Sequence, residues 1–222
     1  FTSACNIGEY LDAFTALRET YDAVIHVSIS SEFSCTHQNA TLAALEVEGV
    51  HCIDSRNLST GIGLQVIRAC ELADKGMAAE VIVSYLREMA GRVDATFIPE
   101  SLEYLKMGGR CSAATALSAS LLRIKPCIQV RDGAMVVGKK YTGALEPVLM
   151  KYVKDRLGDL EKVDLSRVFI THSGMTNPEL VWLREKLGLD ENARVLFFST
   201  EGDTDKENYR SIVWDGKYPS LI

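Results

Sequence analysis

Short β-branched apolar runs alternate with helical stretches through the first half of this chain, and that alternation limits the folds open to it. Residues 23–28 (Ala-Val-Ile-His-Val-Ser) and 50–55 (Val-His-Cys-Ile-Asp-Ser) are each followed by a hydroxyl-bearing loop and then by helix-forming sequence. Runs of this kind read as strands of a parallel sheet, with the helices as crossovers. Tyr10, Leu11, Phe14 and Leu17 recur at helical spacing and predict a helix over 7–20, capped by Asn6 or Ser3. Further helices are expected over 40–48, 62–75 and 78–90, with Gly76 ending the one over 62–75 and residues 93–98 forming another strand.

The pattern changes across residues 99–133. A short helix leads into a Gly108-Gly109-Arg110 turn, then into a helix made slim by the small residues between Ser112 and Ser120. A buried strand follows and ends at Asp132-Gly133, a favoured two-residue hairpin turn, so residues 129–137 read as two joined strands. Beyond it come a helix to about 157, a strand over 167–172, a helix over 178–187, a strand over 194–198 and, in the final segment from Thr200, a polar loop over 201–208. The expected fold class is α/β in two domains: a parallel α/β sheet domain over 1–98 and a mixed α/β domain over 99–222.

Composition narrows the function. A net charge of -6 over 222 residues argues against a broad nucleic-acid surface, which needs a basic patch. No apolar run approaches the roughly 18 residues needed for a membrane span, and no signal peptide is visible. Six cysteines show neither CxxC pairing nor zinc-finger spacing, so the expectation is free thiols in a reducing cytoplasm, with Cys35 and Cys111 as the candidate nucleophiles if there is one. The chain opens on Phe1 rather than Met, and residues upstream are expected.

Ser30, Ser31, Ser34 and Thr36 fall within seven residues, between a strand and a helix. Capping that helix needs one hydroxyl. The excess reads as a loop that holds a carboxylate or phosphate with help from free helix amides, at the sheet end where open α/β folds place ligands. Arg110 opens the slim helix, where it either meets an anion or makes a structural ion pair. His26 is expected as a hydrogen-bonded core histidine. His172, beside Ser173 and Gly174, faces either a ligand or the surface.

In order, these pieces resemble the DegV family of bacterial fatty-acid-binding proteins, from Thr2 to about His172. Thr2-Ser3 before the Gly8-Glu9-Tyr10 helix resembles the family's Thr-Ser-Gln-Pro-Ser segment. Residues 30–40, Ser-Ser-Glu-Phe-Ser-Cys-Thr-His-Gln-Asn-Ala, resemble its Ser-Ser-x-Leu-Ser-Gly-Thr-Tyr-Gln-Ser-Ala loop. Asp54-Ser55 with Ser59-Thr60-Gly61 fits the next turn. Leu102 through Arg110 and Ile124-Lys125-Pro126 fit the crossover. The family's first strand, with its Asp-Ser-Thr loop, is not in this sequence, so the N-terminal domain is expected without it.

The resemblance implies one long-chain fatty acid, such as palmitate or oleate, between two domains, with no other cofactor and no metal. Its carboxylate would meet Thr2 and Ser34, with Ser3, Ser30 and Thr36 as neighbours and Arg110 and His172 as possible second-domain contacts. The partner implied is a fatty-acid kinase subunit that phosphorylates the presented carboxylate, so the chain itself has no catalytic residue. Two alternatives remain at this point. One is an enzyme on the same scaffold, acting on a small carboxylate or phosphorylated substrate through Arg110, Ser34 and His172. The other is a paralogue that keeps the fold without the ligand.

Overall fold

The computed structural model describes residues 3–99, 102–111, 124–158, 164, 167–172, 185 and 195–199. It forms two compact units, Phe1–Arg156 and Leu157–Ile222. The boundary expected at 98/99 falls inside the first.

Helix α1 (Ile7–Arg18) starts where the sequence provides a reciprocal cap. The Asn6 side chain accepts from the Glu9 amide at 3.0 Å, and the Glu9 carboxylate accepts from the Asn6 amide at 2.7 Å. Strand β1 (Val24–Ser28) then pairs in parallel with β2 (Val50–Asp54), from Val24 beside Val50 to Ser28 beside Asp54. Alternation along the strands splits their side chains between two cores. Val24, Val50 and Cys52 pack with Phe14, Ala40 and Ala43 of α1 and α2 (Thr36–Ala44). Ile25, Val27 and Ile53 pack with Leu72, Ile82, Val83 and Leu86 of α3 (Ser59–Asp74) and α4 (Ala79–Ala90). Helices therefore cover both faces of the strand pair, the arrangement that apolar parallel strands require.

Two expectations are corrected here. Helix α2 begins at Thr36, four residues before the expected start, because the Ser34 hydroxyl accepts the Thr36 amide and nothing from 36 to 39 breaks a helix. The strand expected over 93–98 is only Thr96–Phe97 (β3), and it runs antiparallel to a strand of the second sheet. The free edge of that longer strand captures it: Thr96 lies beside Gln129, and the Val130 amide donates to the Ala95 carbonyl at 2.9 Å.

After β3 and the short helix α5 (Glu103–Gly108), β4 (Ile124–Arg131) and β5 (Ala134–Thr142) form a hairpin beside β3. Its turn is Asp132-Gly133, with φ of 50° and 83°, the left-handed pair a two-residue hairpin demands. Helix α6 (Leu145–Arg156) closes one face through Val148 and Tyr152 against Cys127 and Tyr141. In the second unit, β6 (Val168–His172) pairs in parallel with β7 (Val195–Ser199). The slim helix at 112–120, the body of the helix expected at 178–187 and the loop at 201–208 lie outside the described residues. Among the described residues, no helix is long and apolar enough to cross a membrane.

Candidate functional site

The parallel register sets the two strand ends, Ser28 and Asp54, side by side, so the loops that leave them are neighbours. The first loop carries the hydroxyls. Ser34 Oγ and Thr36 Oγ1 are 2.7 Å apart, both half-buried, and the same Ser34 oxygen takes the Thr36 amide at 3.2 Å. Cys35, the N-cap of α2, makes no side-chain cap bond, and the first turn of α2 holds no acidic residue. Two paired hydroxyls at a helix N-terminus without a resident carboxylate make a setting that accepts an anion's oxygens.

Ser30 has a different place. It is fully buried, its amide donates to the Asn57 carbonyl at 2.9 Å and its carbonyl accepts from Phe33 at 3.0 Å, closing the loop into a turn. Ser3 is exposed. Thr2 lies outside the described residues, as does the side chain of His172, whose backbone ends β6. The thread from residue 3 to α2 is visible one step later, where the Asn39 side-chain amide donates to the Cys5 carbonyl at 2.7 Å.

Arg110 makes no ion pair among the described residues. Its guanidinium donates to the Gly108 carbonyl at 2.7 Å and to the Phe33 carbonyl at 3.4 Å, so it joins the turn after α5 to the hydroxyl loop. His37, in the first turn of α2, sets Nδ1 3.0 Å from the Ser28 hydroxyl, which also donates to the Ile53 carbonyl at 3.2 Å. With Ser28 buried, this pair anchors the helix to the sheet. His26 is corrected: its buried Nε2 has no hydrogen-bond partner among the described residues, and its ring lies edge-on to Tyr10 and Phe14. Burial, and then the charge of His37, pull its pKa down.

Three residues missed in the sequence build the floor and side of the loop. Asn57, buried in the β2–α3 connection, donates its side-chain amide to the Val93 carbonyl at 3.1 Å, and Gln65 donates to the Ser55 carbonyl at 2.9 Å. Gly61 is required there, since a Cβ would collide with the Asn57 amide. Arg56, with φ of 52°, turns outward and meets Glu32 at 3.3 Å, Asp54 at 3.7 Å and the Asp132 carbonyl of the hairpin turn. Only Gln65 left a signal in the sequence, as a polar residue inside the apolar run at 62–67; Arg56 and Asn57 are lost in a polar turn. Burial pushes the Asp54 carboxyl up, but the Ser31 hydroxyl at 2.6 Å and the Arg56 and Ser31 amides outweigh it and hold it below the usual range.

All six cysteines are free thiols, and no described group of His, Cys, Asp or Glu has the makings of a metal site. Fold and loop together define an α/β scaffold with a hydroxyl-rich loop at the end of its parallel strands. Residues 1–181 match the family model described as "Uncharacterised protein, DegV family", and the chain belongs to the DegV family.

A DegV domain-containing protein of Deinococcus radiodurans is 36% identical over 143 residues, 64% of this chain and 51% of the relative. The solved DegV family protein of Thermus thermophilus, described for its fatty acid binding, superposes with a TM-score of 0.75 at 25% identity, over 89% of this chain and 71% of that one. DegV from Bacillus subtilis, described as a fatty acid binding protein, gives 0.69 at 28% identity, over 87% and 68%. The chain spans about half to two thirds of the length of the curated relatives it matches.

Proposed function

We propose that this protein is a fatty-acid carrier that holds a long-chain acid by its carboxylate at Ser34 and Thr36. In this reading Thr2 is a further partner of the carboxylate, Ser3 is a neighbour, the buried Ser30 shapes the loop behind them, and residues 1–98 and 99–222 are the two lobes around the acid. The observation that carries the reading is the Ser34–Thr36 hydroxyl pair, 2.7 Å apart at the start of α2, whose first turn holds no acidic residue. The relatives from Thermus thermophilus and Bacillus subtilis, both described as binding fatty acids, support the choice of ligand.

The physics suits that ligand. A carboxylate leaves water without prohibitive cost only when several hydrogen bonds receive it, and charge-assisted bonds from hydroxyls and helix amides are the strong kind. Each buried methylene adds about 0.8 kcal/mol, so a long acyl chain supplies most of the affinity. The carrier does no chemistry in this reading. It operates in the cytoplasm and presents the carboxylate to a fatty-acid kinase subunit, which transfers the phosphoryl group.

Titration of delipidated protein with oleate, followed by calorimetry, tests the head-group assignment. Ser34→Ala with Thr36→Ala is expected to weaken binding by on the order of tenfold to a hundredfold, the equivalent of one or two charge-assisted bonds. Undiminished affinity in the double variant would refute it. Phosphoryl transfer to bound oleate from ATP, with a fatty-acid kinase subunit added, tests the presentation step.

A further inference from the structure

The guanidinium of Arg56 touches three separated parts of the first unit at once. It pairs with Glu32 at 3.3 Å and donates to Ser31 Oγ at 3.4 Å in the hydroxyl loop. It lies 3.7 Å from Asp54 at the end of β2, and it donates to the carbonyl of Asp132, 76 positions away in the β4–β5 turn. The turn itself presses on the same loop. A Cβ on Gly133 would stand 2.5 Å from Ser30 Oγ and 2.8 Å from the Arg56 guanidinium, so the turn's backbone lies directly against both. The residue between Ser30 and Glu32 is Ser31, whose hydroxyl is committed to Asp54 at 2.6 Å.

We propose that Arg56 is a positioning residue that clasps the hydroxyl loop to the β4–β5 turn, so that a ligand held at Ser34 and Thr36 leaves only when loop and turn open together. The proposal rests on the carrier reading for its ligand, while the clasp stands on the contacts alone. Its strength suits a joint that must open. The Arg56 side chain is 37% exposed and that of Glu32 is 51% exposed, so this pair is screened and weak by itself, while the Asp54 contact is long at 3.7 Å. The fork geometry holds carboxylates and a carbonyl at once, and that simultaneity gives the clasp its effect. A few exposed bonds between two sheets are the kind of contact that breaks locally, well below global unfolding.

The test pairs hydrogen exchange of the free full chain with the release rate of bound oleate, in wild type, Arg56→Ala, Arg56→Lys, Gly133→Ala and the Arg56→Ala/Gly133→Ala double variant. Arg56→Ala is expected to lose amide protection in 29–34 and 130–135 together, with the melting temperature nearly unchanged. Oleate should leave on the order of tenfold faster, the kinetic equivalent of one charge-assisted bond. Arg56→Lys keeps the charge without the fork, and should restore protection of the loop but not of the turn. Gly133→Ala strains the turn directly, through its positive φ and the Ser30 hydroxyl, so it should lower protection at 130–135 even where Arg56 is intact and should add to Arg56→Ala in the double variant. Unchanged protection at 130–135 in Arg56→Ala would overturn the clasp, whatever oleate does. Loss of protection with an unaltered release rate would overturn its control of the ligand. A wild-type chain that takes up no oleate would overturn the carrier reading and the gating that depends on it, while exchange would still report whether loop and turn open as one.

Discussion

His26 shows at the scale of one residue how position sets chemistry. Its Nε2 is buried without a partner among the described residues, and its ring packs edge-on against Tyr10 and Phe14, which also touch each other. Burial disfavours the imidazolium, and His37 adds to the effect, so the folded pKa is depressed. The unfolded chain then binds the proton more readily than the folded one. Stability is fully present above the ordinary histidine pKa of about 6.5 and is lost as pH falls from there through the depressed folded value. Chemical denaturation at pH 7.5 and pH 5.5 should show a clear loss on acidification in wild type and a smaller one in His26→Phe. An equal loss in both proteins would assign the effect to other groups. Asp54 has the same sign in a lower window: its depressed carboxyl stabilises the fold above about pH 3.9 and fails only in stronger acid, so it leaves the comparison undisturbed.

At the scale of elements, what could be read in advance was whatever the chain specifies locally. Asp132-Gly133 demands positive φ at both central positions, and the hairpin formed there in the register the turn dictates. The Asn6–Glu9 cap and the helices α1, α3 and α4 are local in the same sense. The start of α2 was not, because four hydroxyls offered several equivalent caps and only Ser34 took the Thr36 amide. At β3 a strand was expected, but its shortness and its antiparallel pairing were not legible, because they depend on an edge supplied more than thirty positions later. The packing of α4 carries the clearest energetic expectation. Ile82, Val83 and Leu86 fill one core with Ile53 and Leu72, and Leu86 is wholly inaccessible to water. Leu86→Ala should cost about 2–5 kcal/mol of unfolding free energy, measured by urea titration. A cost below about 1 kcal/mol would mean that α4 is not seated as described.

For the whole molecule, the α/β class and the hydroxyl loop were legible because strand periodicity and an excess of hydroxyls are sequence properties. Arg56 was not. Its role depends on the Asp132 carbonyl, Glu32 and Asp54 arriving at one point, and nothing near position 56 announces them. Asn57 and Gln65 were hidden for the same reason, since each acquires meaning only from a distant carbonyl or a neighbouring turn. The central claim joins these scales: a buried scaffold of polar bonds fixes one loop so that two hydroxyls can receive a carboxylate. Native mass spectrometry of the purified protein, with organic extraction of what it carries, addresses that claim most directly. One long-chain fatty acid per chain, absent from the Ser34→Ala/Thr36→Ala variant, is the predicted result. A wild-type protein that carries no lipid and takes up neither palmitate nor oleate would contradict it.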